Sequence, residues 1–384
     1  MENIESTTTE QENVVTIKEE AEDSYSNDDL YNISSWGADL SFRELISMYE
    51  EDELLKPELQ RKYVWEKPEA SRFIESILLG LPVPSIFLAN TPKEKKLIID
   101  GFQRIMTVVD YVKGIWSQDK NVFRLSNTEK INEKWRNKAF SDLSDTDQRK
   151  IRSTTIHAII FEQKAPKNSD TSLYQIFERI NTGGRTLMPQ EIRNCVSQGE
   201  FNKLLFELNT NSEWRELFGK KEEDNRMRDL EFILRYFALN TDFIKNNTTS
   251  SISLKKYLNE FMGQEESQEL IVIDKRRKEF NDAISFIYKH IGENAFFNIV
   301  GGEETKIRKR FYPTIFDSLM VAVTIAQNKL GESIPTEKLE EKRLALLKDA
   351  NYKKYISEGT MQISHIQGRI SLVLKHLFEL NYAE

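Results

Sequence analysis

Only one cysteine, Cys195, occurs in the 384 residues. That excludes a disulfide framework and a cysteine-based metal cluster, and it makes a reducing cytoplasm the expected compartment. The four histidines, His157, His290, His365 and His376, lack zinc-motif spacing and have no cysteine partner nearby. Each is expected to be structural or exposed. Long apolar runs are missing too. Ile74 to Leu79 is interrupted by Glu75 and Ser76, far short of the roughly 18 residues a membrane span needs. The N-terminus is acidic and has no apolar h-region, so no signal peptide and no membrane partner are expected. No Gly-x-x-x-x-Gly-Lys-Ser/Thr stretch is present, which excludes a P-loop. No His-Asn-His nuclease pattern is visible in the second half.

What is present is ordinary for a globular protein: 39% hydrophobic and 30% charged residues, over a length that suggests two or three domains. The formal charge of -8 is misleading. Residues 1–30 carry ten acidic residues and one basic one, so the remainder is close to neutral. It makes no global case for or against nucleic acid. Residues 1–30 read as a disordered acidic tail. An acidic arm can imitate DNA, but solvated tails are far commoner.

The most informative stretch is Leu97-Ile98-Ile99-Asp100-Gly101-Phe102-Gln103-Arg104. Three apolar residues end in an Asp-Gly turn, and Ile105, Val108, Val109 and Val112 follow at helical spacing. This predicts strand, tight turn, helix. Such a turn aims free backbone N–H groups and a positive dipole end at one point, which suits phosphate. Gly101 would let a backbone approach closely, and Arg104 would offer a planar fork. The plainer alternative is a common Asp-Gly turn with a solvated arginine.

Upstream, Ser41-Phe42-Arg43-Glu44 is a capping box, with Leu45, Ile46 and Tyr49 on one helix face. Residues 59–65 read as a strand running into a loop. Pro68 opens a helix that Gly80 ends, and Ser85 to Ala89 is a strand. Downstream, Trp135 and Phe140 are expected to cover the core. Thr154 to Phe161 is a strand, and a helix carrying Leu173, Ile176, Phe177 and Ile180 runs into the loop Asn181-Thr182-Gly183-Gly184. Pro189 opens another helix. From Phe201 onward the pattern is helical, with no convincing strand. The expected organisation is the acidic tail 1–30, an α+β domain over 36–198 and an all-helical domain over 200–384.

Three stretches mix element ends with arginine and small or polar residues: Arg61 to Trp65, Asp100 to Arg104, and Arg179 to Gly184. Element ends are where sites gather. Arg179 has an alternative as an ion-pair partner of Glu178 or Glu191. Cys195 reads as a packing residue. The basic runs Lys275-Arg276-Arg277-Lys278 and Lys306-Ile307-Arg308-Lys309-Arg310 are candidates for DNA contact or for exposed helix faces.

In order along the chain, Gln60-Arg61-Lys62-Tyr63-Val64-Trp65, Ser76 to Pro84, Ile99 to Arg104, Phe177 to Gly184 and Gln190-Glu191-Ile192-Arg193-Asn194 resemble the N-terminal domain family of GmrSD-type restriction proteins. That family is related to the ParB/sulfiredoxin fold. The second half is similar more loosely, at Asp229 to Arg235 and Phe316 to Leu319. The resemblance implies a ParB/sulfiredoxin-like domain followed by a helical one. It implies nucleoside triphosphate binding and hydrolysis with Mg²⁺ at the turn. Asp100, Gln103 and Arg104 would be catalytic. Asp100 would hold the metal, Gln103 would orient water, and Arg104 would offset phosphate charge. Arg61, Tyr63, Trp65, Gly101, Arg179, Asn181, Thr182, Gly183 and Gly184 would contact the nucleotide. The family's usual signature is Asp-Gly-Gln-Gln-Arg. Phe102 replaces its first Gln and either packs inward or stacks on a base. Sulfiredoxins place a reactive cysteine at the corresponding position, so Phe102 excludes their chemistry.

The function so implied is an NTP-hydrolysing sensor or regulator of restriction type, without its own nuclease module. A separate nuclease or effector, DNA, and a second copy docked through the helical half are the expected partners. Two alternatives stay open: a module in which nucleotide only switches DNA or partner affinity, and a ParB-like nuclease.

Overall fold

A computed structural model describes residues 13–23, 32–55, 65–91, 94–165, 174, 176, 188–197, 199–300 and 306–382. The chain divides into two units, one of residues 27–198 and one combining residues 1–26 with 199–384. Among the described residues no helix is long and apolar enough to cross a membrane.

The N-terminal segment holds a single turn, α1 (Lys18–Ala21), described below with the unit it packs on. The 27–198 unit then follows as β1 (Asn32–Ser41), α2 (Phe42–Glu50), β2 (Leu54–Leu55), α3 (Lys67–Leu79), β3 (Ile86–Asn90), β4 (Lys96–Asp100), α4 (Phe102–Lys113), α5 (Asp145–Ser153), β5 (Thr155–Ala165) and α6 (Pro189–Val196). Its strands form one mixed sheet in the order β1-β5-β3-β4-β2. Pairing alternates from antiparallel (β1–β5) to parallel (β5–β3), antiparallel (β3–β4) and parallel (β4–β2).

The local signals explain the elements. Ser41 Oγ accepts the Glu44 N–H at 3.2 Å, and Glu44 Oε2 accepts the Ser41 N–H at 2.7 Å, closing the box that starts α2. Pro68 lies in the first turn of α3, and Gly80 ends it in the left-handed region. Strand alternation divides the core. Ile86, Leu88 and Ile98 pack with Ile156, Ala158 and Ile160 against α2 to α5. Ala89, Leu97 and Ile99 turn the other way, against Ile192 and Cys195 of α6. The sheet is thus covered by helices on both faces. Each buried Leu or Ile among them contributes about 1.5–3 kcal/mol. Trp135 and Phe140 are buried over the first core, as the pattern implied.

The second unit contains α7 (Glu200–Asn209), α8 (Ser212–Phe218), α9 (Arg228–Leu239), α10 (Asp242–Asn246), α11 (Leu254–Gly263), α12 (Leu270–His290), α13 (Pro313–Leu330), α14 (Leu339–Leu346), α15 (Ala350–Ser357) and α16 (Ile363–Phe378). It is not all-helical. Between α12 and α13 lies an antiparallel hairpin of β6 (Phe297–Val300) and β7 (Lys306–Phe311). Four basic residues in β7 hide its apolar positions, Ile307 and Phe311, from a period-2 reading.

Within the acidic stretch 1–30, the described residues 13–23 also depart from expectation. Residues 13–23 pack on this unit rather than forming a solvated tail. Val14 and Ile17 are buried, and Val14 belongs to the helical core. The backbone of Asn13 and Val15 bonds both polar groups of Phe311, each at 2.9 Å. Two apolar residues and a free strand edge offset the cost of ordering the segment.

Candidate functional site

The Asp100–Arg104 turn is built as strand, glycine, helix. β4 ends at Asp100, Gly101 is left-handed with φ 99°, and α4 begins at Phe102. A Cβ on Gly101 would lie 2.3 Å from Ile86 Cγ2. The glycine therefore serves a close approach to the protein's own strand β3. Phe102 is buried among the residues of the first core, so it packs inward.

Arg104 is largely buried and engaged. Its Nη1 donates to the carbonyls of Pro84 at 2.8 Å and Ser85 at 2.6 Å, and its Nη2 pairs with Asp100 Oδ2. It clamps the end of β4 to the chain entering β3. The Asp100 side chain is 42% exposed. Gln103 Oε1 accepts the Trp65 N–H at 3.3 Å, and Trp65 O accepts from Gln118 Nε2 at 3.1 Å. Trp65 leans edge-on against Phe73 of α3, with ring centroids 5.5 Å apart.

Two of the three stretches thus meet, through Trp65 and Gln103. Arg61 and Tyr63 lie outside the described residues, as do Arg179, Asn181, Thr182, Gly183 and Gly184. Sequence reasoning missed the Pro84 and Ser85 carbonyls and Gln118, because each is brought in by tertiary folding. It also left the polar face of α6 without a role. Gln190, Arg193 and Asn194 are fully buried, linked by Arg193 Nε to Gln190 Oε1 at 2.7 Å and Gln190 Nε2 to Asn194 Oδ1 at 2.9 Å. Polar residues at i, i+3 and i+4 of a short helix whose apolar anchors are Ile192, Cys195 and Val196 were the available signal.

The metal expectation can be set against the donors. Among the described residues, no three His, Cys, Asp or Glu side chains gather into a cluster. A partly exposed carboxylate still fits Mg²⁺, which keeps several waters and takes one or two carboxylates plus phosphate oxygens. Two surface cavities of about 540 and 560 Å³ lie on the other unit, lined in part by His365 and by Phe243.

The basic run 275–278 is not a free cationic face. Arg277 pairs with Glu207 and Asp274, Lys278 with Asp282, and Lys275 with Glu279. Arg276 lies over the rings of Phe201 and Phe261, 4.4 and 4.9 Å from their centroids. Burial there lowers its pKa to about 10. The run 306–310 is a strand of the hairpin, not a helix face.

A mixed sheet with helices on both faces, and a polar strand–glycine–helix turn at one end of its strands, defines an α+β domain with a candidate site at that turn. Residues 42–197 match the family described as GmrSD restriction endonuclease, N-terminal domain, and this part of the chain belongs to that family. No curated protein matched the chain.

Proposed function

We propose that the 27–198 unit is a ParB/sulfiredoxin-like nucleotide-binding module of a restriction-type, phage-defence protein, binding a nucleoside triphosphate with Mg²⁺ at the Asp100–Arg104 turn and hydrolysing it. The observation that carries this reading is the convergence of a partly exposed carboxylate, a helix N-terminus and Gln103 tied to Trp65 at one turn. A helix start favours phosphate through its N–H groups and dipole. Asp100 would hold Mg²⁺ through one oxygen or through water. When bound, that ion supplies neutralisation of phosphate charge. Gln103 would orient the attacking water, with its position fixed by the Trp65 backbone. Arg104 acts mainly by positioning, because its Nη1 bonds and its Asp100 pair hold the turn in shape. The match to a restriction endonuclease domain supports DNA as the eventual target, and a separate nuclease or effector would be the partner.

That engagement of Arg104 also favours a second reading, in which nucleotide is a ligand that switches partner affinity without turnover. A phosphate-release assay with ATP, GTP, CTP and UTP plus Mg²⁺ separates the two. The first reading expects turnover that falls at least tenfold in Gln103→Leu, with the melting temperature little changed. Binding without release favours the switch. Release that Gln103→Leu leaves intact would remove this residue from the chemistry.

A further inference from the structure

Residues 13–23 are seated on the helical unit in the manner of a bound peptide. The first part adds to a sheet edge: Asn13 O accepts the Phe311 N–H, Phe311 O accepts the Val15 N–H, and Asn13 Nδ2 donates to Phe218 O, all at 2.9 Å. Val14 and Ile17 are the apolar anchors. The second part delivers three acids to prepared partners. Glu19 accepts the backbone N–H groups of Gly359 at 3.0 Å and Thr360 at 3.1 Å. Glu20 accepts from Arg235 Nη1 at 2.6 Å. Asp23 Oδ2 accepts from Lys255 N at 2.8 Å and Ser253 Oγ at 3.1 Å, at the start of α11. Main-chain pairing for affinity and side-chain pockets for selectivity is how strand-addition sites recognise peptides.

The charge balance says what the cleft requires. Arg235 and Arg369 are both buried, and Asp317 is the carboxylate between them, with Arg369 Nη2 at 3.5 Å. The Arg369 Nε has no hydrogen-bond partner. Two guanidinium groups face one buried carboxylate unless Glu20 is present. Burial alone would raise the Glu20 pKa, but Arg235 outweighs it with help from Arg369, so the carboxyl lies below its ordinary value. The cleft is therefore selective for an acid at this position.

We propose that the cleft is a recognition site for an acidic peptide of this pattern, and that residues 13–23 are an exchangeable strap that a second copy of the chain can supply. Among the described residues, the strap's contacts come from these eleven. In sequence, the strap is joined to the rest of its unit through the whole of residues 27–198. Exchange of an identical terminal segment between copies keeps every contact, which makes it a low-cost route to a dimer.

The first test is titration of a fluorescent peptide of residues 13–23 into the full chain and into its Glu20→Gln variant. A tethered strap competes at an effective concentration in the millimolar range. The variant should bind the peptide at least tenfold more tightly than the unmodified chain. A peptide that itself carries Glu20→Gln should bind at least tenfold more weakly. Should Glu20→Gln fail to fold, Glu19→Gln with Asp23→Asn, which loosens the strap at its rim, takes its place. No binding to a folded variant overturns the site. The second test mixes copies labelled with a donor at Lys18→Cys and an acceptor at Lys309→Cys. Both positions are exposed, and the native Cys195 is buried. Energy transfer between copies should rise with concentration and fall when excess peptide is added. Peptide binding without transfer would overturn exchange between copies.

Discussion

Replacing Asp317 with alanine should destabilise the helical unit by about 3–5 kcal/mol, the range for removing one partner of a buried ion pair. Arg235 donates to both Asp317 oxygens, and Arg369 lies against the same carboxylate. Without it, the hydrogen-bond acceptors left to Arg369 among the described residues are carbonyls, Thr360 O at 2.9 Å and Tyr355 O at 3.5 Å. A buried guanidinium with neutral partners alone retains most of its desolvation cost. Glu20 would still neutralise Arg235, so the loss falls mainly on the Arg369 side. Urea denaturation of the two chains measures the difference. A loss under about 1 kcal/mol would mean that the pair is solvated in solution. The same experiment with Glu20→Gln added gives the coupling across Arg235.

Gly101→Ala should destabilise the 27–198 unit by roughly 2–5 kcal/mol. Two costs combine. A left-handed backbone costs a residue with a Cβ about 1–2 kcal/mol, and the new methyl would overlap Ile86 Cγ2. Ile86 is fully buried in β3 and β-branched, so it cannot swing aside. Forcing an extra carbon into such a core costs typically about 1–3 kcal/mol. For a unit of this size the melting temperature should fall by roughly 5–15 °C. A variant that melts like the parent would show that the β4–α4 turn adopts another backbone conformation. Loss of nucleotide effects in Gly101→Ala must therefore be judged against its stability.

These two residues mark what the sequence could and could not reveal. The turn itself was readable: three apolar residues, Asp-Gly, then helical spacing left few options, and β4, Gly101 and α4 follow that reading. The partner of Gly101 was not readable, since Ile86 reaches it through strand pairing that no local pattern encodes. The same holds for Arg104. Its charge suggested an anion, but the carbonyls of Pro84 and Ser85, 20 and 19 residues upstream, and its own Asp100 occupy it. The Ser41–Glu44 box and the Pro68-to-Gly80 helix were legible because their interactions are local.

The helical unit was legible in its helices and opaque in its ions. Arg235 and Asp317 appeared only as parts of two loosely familiar stretches, yet together they form a buried ion pair. Asp229, from the first of those stretches, is likewise buried against Arg215 at 2.7 Å. Glu20 was hidden by its company. In a run of acids with few apolar residues it read as solvated, and only Val14 and Ile17 hinted at anchoring. The β6–β7 hairpin was masked by lysine and arginine at its exposed positions.

The central claim is that the Asp100–Arg104 turn receives a nucleoside triphosphate with Mg²⁺. Calorimetric titration of the full chain with each of the four nucleotides, with and without Mg²⁺, tests it most directly when Asp100→Asn is measured alongside. Asn keeps the size and the Arg104 contact while removing the charge that would hold the metal. The account predicts saturable binding of at least one nucleotide that depends on Mg²⁺ and weakens at least tenfold in Asp100→Asn. Heats of dilution alone for all four nucleotides, or binding that Asp100→Asn leaves unchanged, would contradict it.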